Sequence, residues 1–158
     1  MPEKLPANAI RVEKALRSLG VAGEIVVLPE KAPTAATAAA QVGCEVGAIA
    51  NSLIFEADGE PLLVLTSGAH RVDVELIART AGVQKVRRAT PEFVREATGQ
   101  PIGGVAPVGH PAPVRTLVDT WLSKHEQVWA AGGHPHTVYP TTFDELVRIT
   151  GGTPVEVE

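Results

Sequence analysis

The chain has 158 residues, a length suited to one domain with a substantial buried core, and residues 1–158 are expected to form a single domain. Apolar residues make up 44% of the chain but aromatics only 4%, so the core must be built from Ala, Val, Ile and Leu. Fourteen basic and eighteen acidic side chains give a net charge of −4, which excludes a broad basic face for duplex nucleic acid but not a grip on the end of a strand. One cysteine, Cys44, rules out an internal disulfide and fits a reducing cytoplasm. No apolar run approaches the ~18 residues of a membrane span, so no membrane association is expected.

In chain order, Asn8 is expected to cap a helix carrying Ala9, Val12, Leu16 and Leu19 and ending at Gly20. Ile25 to Leu28 reads as a short strand. Thr34 opens an alanine-rich helix that Gly43 or Gly47 ends. Ser52 to Ala57 and Leu62 to Thr66 read as antiparallel strands, because Asp58-Gly59 supplies the positive φ angles of a hairpin turn. Both runs are apolar on each face, which predicts a central position covered by helices. Asp73 caps a helix stopped by Gly82, and Val83 to Arg88 reads as a strand. Thr90-Pro91 opens a helix that runs to Thr98 and ends at Gly99.

Residues 101–113 form a Gly/Pro-rich loop, followed by a strand over Val114 to Val118 and a helical turn over Asp119 to Lys124. Gln127 to Ala131 and Thr137 to Tyr139 read as strands. Thr142 and Glu145 form a capping box for a last helix stopped by Gly151, and Val155 and Val157 alternate as in an edge strand. Helices and strands interleave around at least one hairpin. The expected fold is α/β with a mixed, barrel-like sheet flanked by helices.

Several chemistries lack their residues. Gly103 to Gly109 has neither dinucleotide-fingerprint nor phosphate-loop spacing. Of five histidines only His134 and His136 are close, with no cysteine pair or carboxylate cluster beside them, so no metal and no cofactor are expected. Cys44 has no neighbouring base. No Gly-x-Ser-x-Gly elbow is present.

The loop Gly99-Gln-Pro-Ile-Gly-Gly-Val-Ala-Pro-Val-Gly109 is poor in side chains, so its backbone N–H groups are open to a ligand. Gly103 and Gly104 permit close approach, and Pro101 and Pro107 stiffen it. Such a loop can cradle a carbonyl, a hydroxyl or a phosphate, or simply turn the chain between helix and strand.

Gly103 through Pro107 resembles the Gly-x-x-x-Pro loop of the YbaK and prolyl-tRNA-synthetase-associated editing domains. Thr34 to Ala40, Gly43 to Gly47, Ile49 to Phe55, Leu63 to Gly68, Val72-Asp73 and Phe143 to Gly152 resemble that family's segments in the same order. The resemblance implies a mixed α/β, barrel-like fold and hydrolysis of the ester of mischarged aminoacyl-tRNA, commonly a small amino acid on tRNA-Pro. It implies that a glycine-loop amide orients the substrate and that a water, activated with help from substrate hydroxyls, attacks the ester.

It also implies a lysine in the first hairpin strand, and here that position is Asn51. Lysine offers a full charge on a long stem; asparagine is short and neutral, both donor and acceptor. Three readings stay open. Asn51 orients a substrate carbonyl in a subgroup of different specificity; or Arg71 or Lys85 supplies the cation; or hydrolysis is lost and binding kept, with Asn51 a polar residue starting a strand.

The expected site is therefore Gly103, Gly104 and Asn51 for catalysis, with Val105, Pro107, Ser67, Gly68 and His136 lining the substrate pocket. His136 reads equally as a half-exposed strand residue, and Asp119 as a helix cap. The leading function is a freestanding trans-editing deacylase acting on the acceptor end of mischarged tRNA, with a synthetase as a second candidate partner. The alternatives are a non-catalytic binding module and hydrolysis of another acyl ester or thioester. Monomer and homodimer both remain open.

Overall fold

The computed structural model describes residues 5–32 and 34–158. Helix α1 (Ala7–Ser18) begins two residues earlier than the spacing suggests, with Pro6 at its N-cap and Asn8 inside its first turn. The capping hydrogen bond expected of Asn8 is therefore not made. Strand β1 shrinks to Val26–Val27. Helix α2 (Ala35–Val42) has a reciprocal capping box between Thr34 and Thr37 and ends in left-handed Gly43.

The hairpin forms as the Asp-Gly pair dictates. Strands β2 (Ile49–Ala57) and β3 (Glu60–Ser67) run antiparallel, with Asp58 at φ 49° and Gly59 at φ 89° in the turn. Strand β2 starts at Ile49, so Asn51 lies inside it opposite Thr66 and does not start a strand. A one-turn 3-10 segment, Val46–Ala48, which the sequence reading missed, leads into β2.

Helix α3 (Val74–Ala81) is capped by Asp73 and stopped by left-handed Gly82. Strand β4 is only Val86–Arg88. The expected start at Val83 fails because the preceding amides are already engaged. Gln84 and Lys85 N–H donate to the Asp58 carboxylate, and Val83 N–H to Ala78 O. Those two bonds also hold the Asp58 carboxyl below the usual carboxylate range.

Helix α4 (Pro91–Thr98), strand β5 (Arg115–Asp119), strands β6 (Val128–Ala131) and β7 (Thr137–Thr141), helix α5 (Phe143–Thr150) and strand β8 (Thr153–Val155) follow the expected order. Thr142 caps α5 by accepting from Glu145 N–H, while Glu145 turns to accept from Thr141 Oγ1 at 2.6 Å.

All eight strands share one mixed sheet in the order β1-β7-β6-β2-β3-β5-β8, with β4 added to β2. Pairs β2–β6, β3–β5 and β5–β8 are parallel. The hairpin is central, and both its faces are covered. Ala50, Ile54, Leu63 and Leu65 pack with Val12 and Leu16 of α1, Val94 of α4 and Leu146 of α5. Phe55, Ala57, Leu62 and Val64 pack with Ile77 and Ala81 of α3. Among the described residues no helix is long and apolar enough to cross a membrane.

One buried carboxylate joins the end of β3 to the end of β5. Asp119 is 1% exposed; its Oδ2 accepts from Ser67 N–H at 2.9 Å and lies 2.8 Å from His70 Nδ1, and its Oδ1 accepts from Trp121 N–H at 2.9 Å. It caps the 3-10 turn Thr120–Lys124, as its sequence position suggests. Asp119→Ala leaves the Ser67 amide buried without an acceptor, and urea unfolding should register a loss of about 3 kcal/mol.

Candidate functional site

Helix α4 ends in left-handed Gly99, and the chain then enters the glycine loop. Gln100, 3% exposed, fastens the loop across its neck: Oε1 accepts from Ala106 N–H at 2.6 Å, and Nε2 donates to Val108 O at 3.2 Å. His110 adds a contact of 2.9 Å from Nε2 to Ala106 O, and burial pushes its pKa below the ordinary imidazole value. A neutral ring donating from Nε2 satisfies that contact.

The two glycines do different work. Gly103 adopts φ +90°, with nothing within 4 Å of the place a Cβ would take. Gly104 is buried, and its Cβ would stand 2.6 Å from His134 C and 2.7 Å from Pro135 N. Its close approach is thus to the chain's own 134–135 segment. Gly104 N–H donates to Pro101 O. The N–H groups of Gly103 and Val105 have no acceptor among the described residues.

Across from the loop, β2 presents Asn51 and Ser52. Asn51, Ser52, Gly103 and Val105 all line two adjoining cavities. The smaller, about 40 Å³, is walled by Ala35 and Ala38 of α2 and Ala130 and Ala131 of β6. The larger, about 240 Å³, is bounded by Phe55, Arg88, Val94 and Ile102. Ser52 Oγ is buried and has no hydrogen-bond partner. A hydroxyl left in that state is costly unless something else completes it, so it marks the junction as polar and incomplete.

The remaining expected site residues lie elsewhere. Pro107 lines a separate cavity beside α1 and α5 with His110. Ser67 Oγ donates to Gly47 O at 2.8 Å, and Gly68 is wedged against Val46 O and Ala35 Cβ. His136 stacks on His134 at 5.5 Å between centroids, and its Nδ1 lies 3.4 Å from Leu28 O. None of these four residues lines either of the two adjoining cavities. Burial, then His136, lower the pKa of His134. Cys44 is half-buried and burial raises its pKa, which disfavours the thiolate.

The cations expected near Asn51 are also displaced. Neither Arg71 nor Lys85 lines either of the two adjoining cavities, and Lys85 lines a separate one against α3. Arg88 stands at the larger cavity instead. Strand alternation carries the signal: Arg87 pairs with Glu56 at 2.9 Å, so its neighbour in β4 faces the other way. The alanine wall and the free Ser52 hydroxyl left no comparable trace in the sequence. Among the described residues there is no cluster of metal-ligating side chains.

A family model described as the aminoacyl-tRNA editing domain matches residues 29–149. A crystal structure described as that of a candidate trans-editing enzyme for prolyl tRNA synthetase superimposes with TM-score 0.92 at 41% identity, covering 98% of this chain and 99% of that one. Protein YwhH of Bacillus subtilis (strain 168) is 32% identical over 114 residues, 72% of each chain. A proline–tRNA ligase of Nitratidesulfovibrio vulgaris (strain Hildenborough) is 32% identical over 93 residues, which are 59% of this chain. The match spans only 16% of the ligase's length.

The contrast between the glycines is measurable. Gly104→Ala forces a Cβ into backbone and should cost about 3 kcal/mol, the upper end of overpacking penalties. Gly103→Ala meets open space and should cost only the about 1–2 kcal/mol of a left-handed residue. Denaturant unfolding of the two variants checks the order.

Proposed function

The chain belongs to the aminoacyl-tRNA editing domain family, and on that premise we propose that it is a freestanding trans-editing deacylase acting in the cytoplasm as a single domain. It hydrolyses the ester of a tRNA mischarged with a small amino acid, with tRNA-Pro the first carrier to test. Its partner is the acceptor end of that tRNA; the acidic net charge suits recognition of an end better than of a long duplex.

The observation that carries this reading is the convergence of Asn51, Ser52, Gly103 and Val105 where two cavities meet. An ester at that junction finds amide donors without acceptors at Gly103 and Val105. Such donors stabilise the oxyanion that forms when water attacks the carbonyl. Asn51 contributes a neutral donor and acceptor that orients the ester or the attacking water. Ser52 completes its own hydrogen bonding on the substrate. No protein nucleophile is required, consistent with the raised pKa of Cys44.

Asn51 also favours a second reading, a module that binds an aminoacyl-tRNA end without turnover. Loss of a charged contact weakens binding or catalysis by roughly ten- to a hundredfold. The two readings separate in a deacylation panel of mischarged tRNAs with wild type, Asn51→Lys and Gly103→Ala side by side. The deacylase reading expects wild type to accelerate at least one substrate, and Gly103→Ala, which keeps its N–H but strains the positive φ that aims it and adds a methyl to the open space beside it, to slow it while remaining folded. If neither wild type nor Asn51→Lys exceeds spontaneous decay, the binding module stands.

A further inference from the structure

Between α1, α5 and the second half of the glycine loop runs an open groove of about 360 Å³, which shares no lining residue with the two adjoining cavities. We propose that this groove docks an acidic amphipathic helix of a partner protein. The helix lays apolar side chains on the groove floor and sets a carboxylate against Arg11 at one end and Arg148 at the other.

The walls select an apolar occupant. Ala15 and Leu19 of α1, Ile149 of α5, and Val108 and Val114 of the loop supply carbon surface. The hydroxyls in the lining donate within the chain: Ser18 Oγ to Ala15 O, Thr116 Oγ1 to Val114 O and Thr150 Oγ1 to Leu146 O. A sugar finds few donors there, whereas leucine-like side chains leave water without breaking a hydrogen bond. The groove is also preformed. Gln100 Nε2 holds Val108 O, and Pro107, Pro111 and Pro113 restrict the backbone of the floor. A rigid groove lowers the ordering cost of binding.

Charge selects the partner. The chain carries a net charge of −4, yet no acidic side chain lines the groove. Arg11 precedes Ala15 by one turn on the same face of α1. Its Nη1 lies 3.7 Å from the place a Cβ on Gly99 would take, beside Pro111 of the groove, and it forms no ion pair among the described residues. Arg148 ties α5 to α1 by donating from Nη1 to Leu19 O at 2.7 Å. Its Nη2 is 3.7 Å from Glu145 Oε2, and its side chain remains 54% exposed.

Arg11 and the Leu19 carbonyl are about 12 Å apart along α1. On a partner helix that is about two turns, the step from position i to i+7, with i+3 and i+4 between them on the same face. Acidic residues at i and i+7 with leucines at i+3 and i+4 match both ends of the groove and its floor. A nucleic-acid backbone carries a charge at every phosphate and gains nothing from the apolar floor between the two arginines.

The test uses a fluorescent, terminally blocked helical peptide with Glu at i and i+7 and Leu at i+3 and i+4. Two controls carry Lys for Glu or Ser for Leu, and binding is read by anisotropy. Wild type should bind the Glu/Leu peptide at least about tenfold more tightly than either control, and added salt should weaken that binding. Arg11→Glu reverses the charge at one end and Ala15→Trp fills the floor, so each should weaken binding about tenfold or more. Arg79→Glu, at an exposed position of α3 outside the groove, should leave it unchanged. Thermal melting verifies that each variant is folded.

Failure of the Glu/Leu peptide to bind wild type overturns the proposal, as does binding that Arg11→Glu and Ala15→Trp leave unchanged. Binding of a short single-stranded RNA that Arg11→Glu abolishes, with no binding of the peptide, assigns the groove to nucleic acid instead. A wild-type dimer in sedimentation that Ala15→Trp converts to monomer, again with no peptide bound, assigns it to a second copy of this chain.

Discussion

The register of β2 against β3 decides which side chains meet a ligand. Asn51 opposes Thr66 and Ser52 opposes Leu65, and the pleat sends consecutive residues to opposite faces. A slip of one position would exchange every inward side chain of β2 for an outward one, placing Leu53 where Ser52 stands. Register in a hairpin is set by its turn, here Asp58-Gly59, whose two positive φ angles match the strands' twist. The Asp58 carboxylate then fixes the approach of β4 through two amides, and β4 brings Arg88 to the larger cavity. Turn, register, third strand and cation thus form one chain of dependence.

The glycine loop is fixed by different means. It contains no regular structure, so its backbone groups must be satisfied singly. Gln100 occupies both ends of its amide on the loop, His110 takes the Ala106 carbonyl, and Gly104 abuts the 134–135 segment. Those restraints surround Gly103 without engaging its N–H. A donor held rigidly but left free is what an oxyanion site needs, since no reorganisation is required when charge develops. The loop is therefore more constrained than its composition suggests, and its freedom is confined to the atoms proposed to act.

Local chemistry made most of the fold legible. Capping residues at Thr34, Asp73, Thr90 and Thr142, and glycine stops at Gly43, Gly82, Gly99 and Gly151, act within a few residues of themselves and need no tertiary knowledge. Asn8 looks like a cap, but the helix starts at Ala7, one residue ahead of it. Val83 to Lys85 look like strand, but a carboxylate from a distant turn has already taken two of their amides. Of the expected site residues, Asn51, Gly103 and Val105 meet at the two adjoining cavities, and they lie on a recognisable loop and strand. Ser67, Gly68, Pro107 and His136 sit close in sequence to the right elements but face other neighbours. The alanine wall depends on strand order, which no local pattern encodes.

The replacement at position 51 takes its meaning from this geometry. A lysine there would hold its charge on a half-buried strand between two cavities, where desolvation opposes ionisation. Asparagine avoids that cost and leaves the junction without a formal charge. The free cation of the larger cavity is instead Arg88, which is exposed. In the proposed reading, electrostatic attraction for the nucleic acid is thereby separated from the chemistry at the ester. A cation at the rim would lose its pull as salt is added, while neutral donors in a confined junction would not.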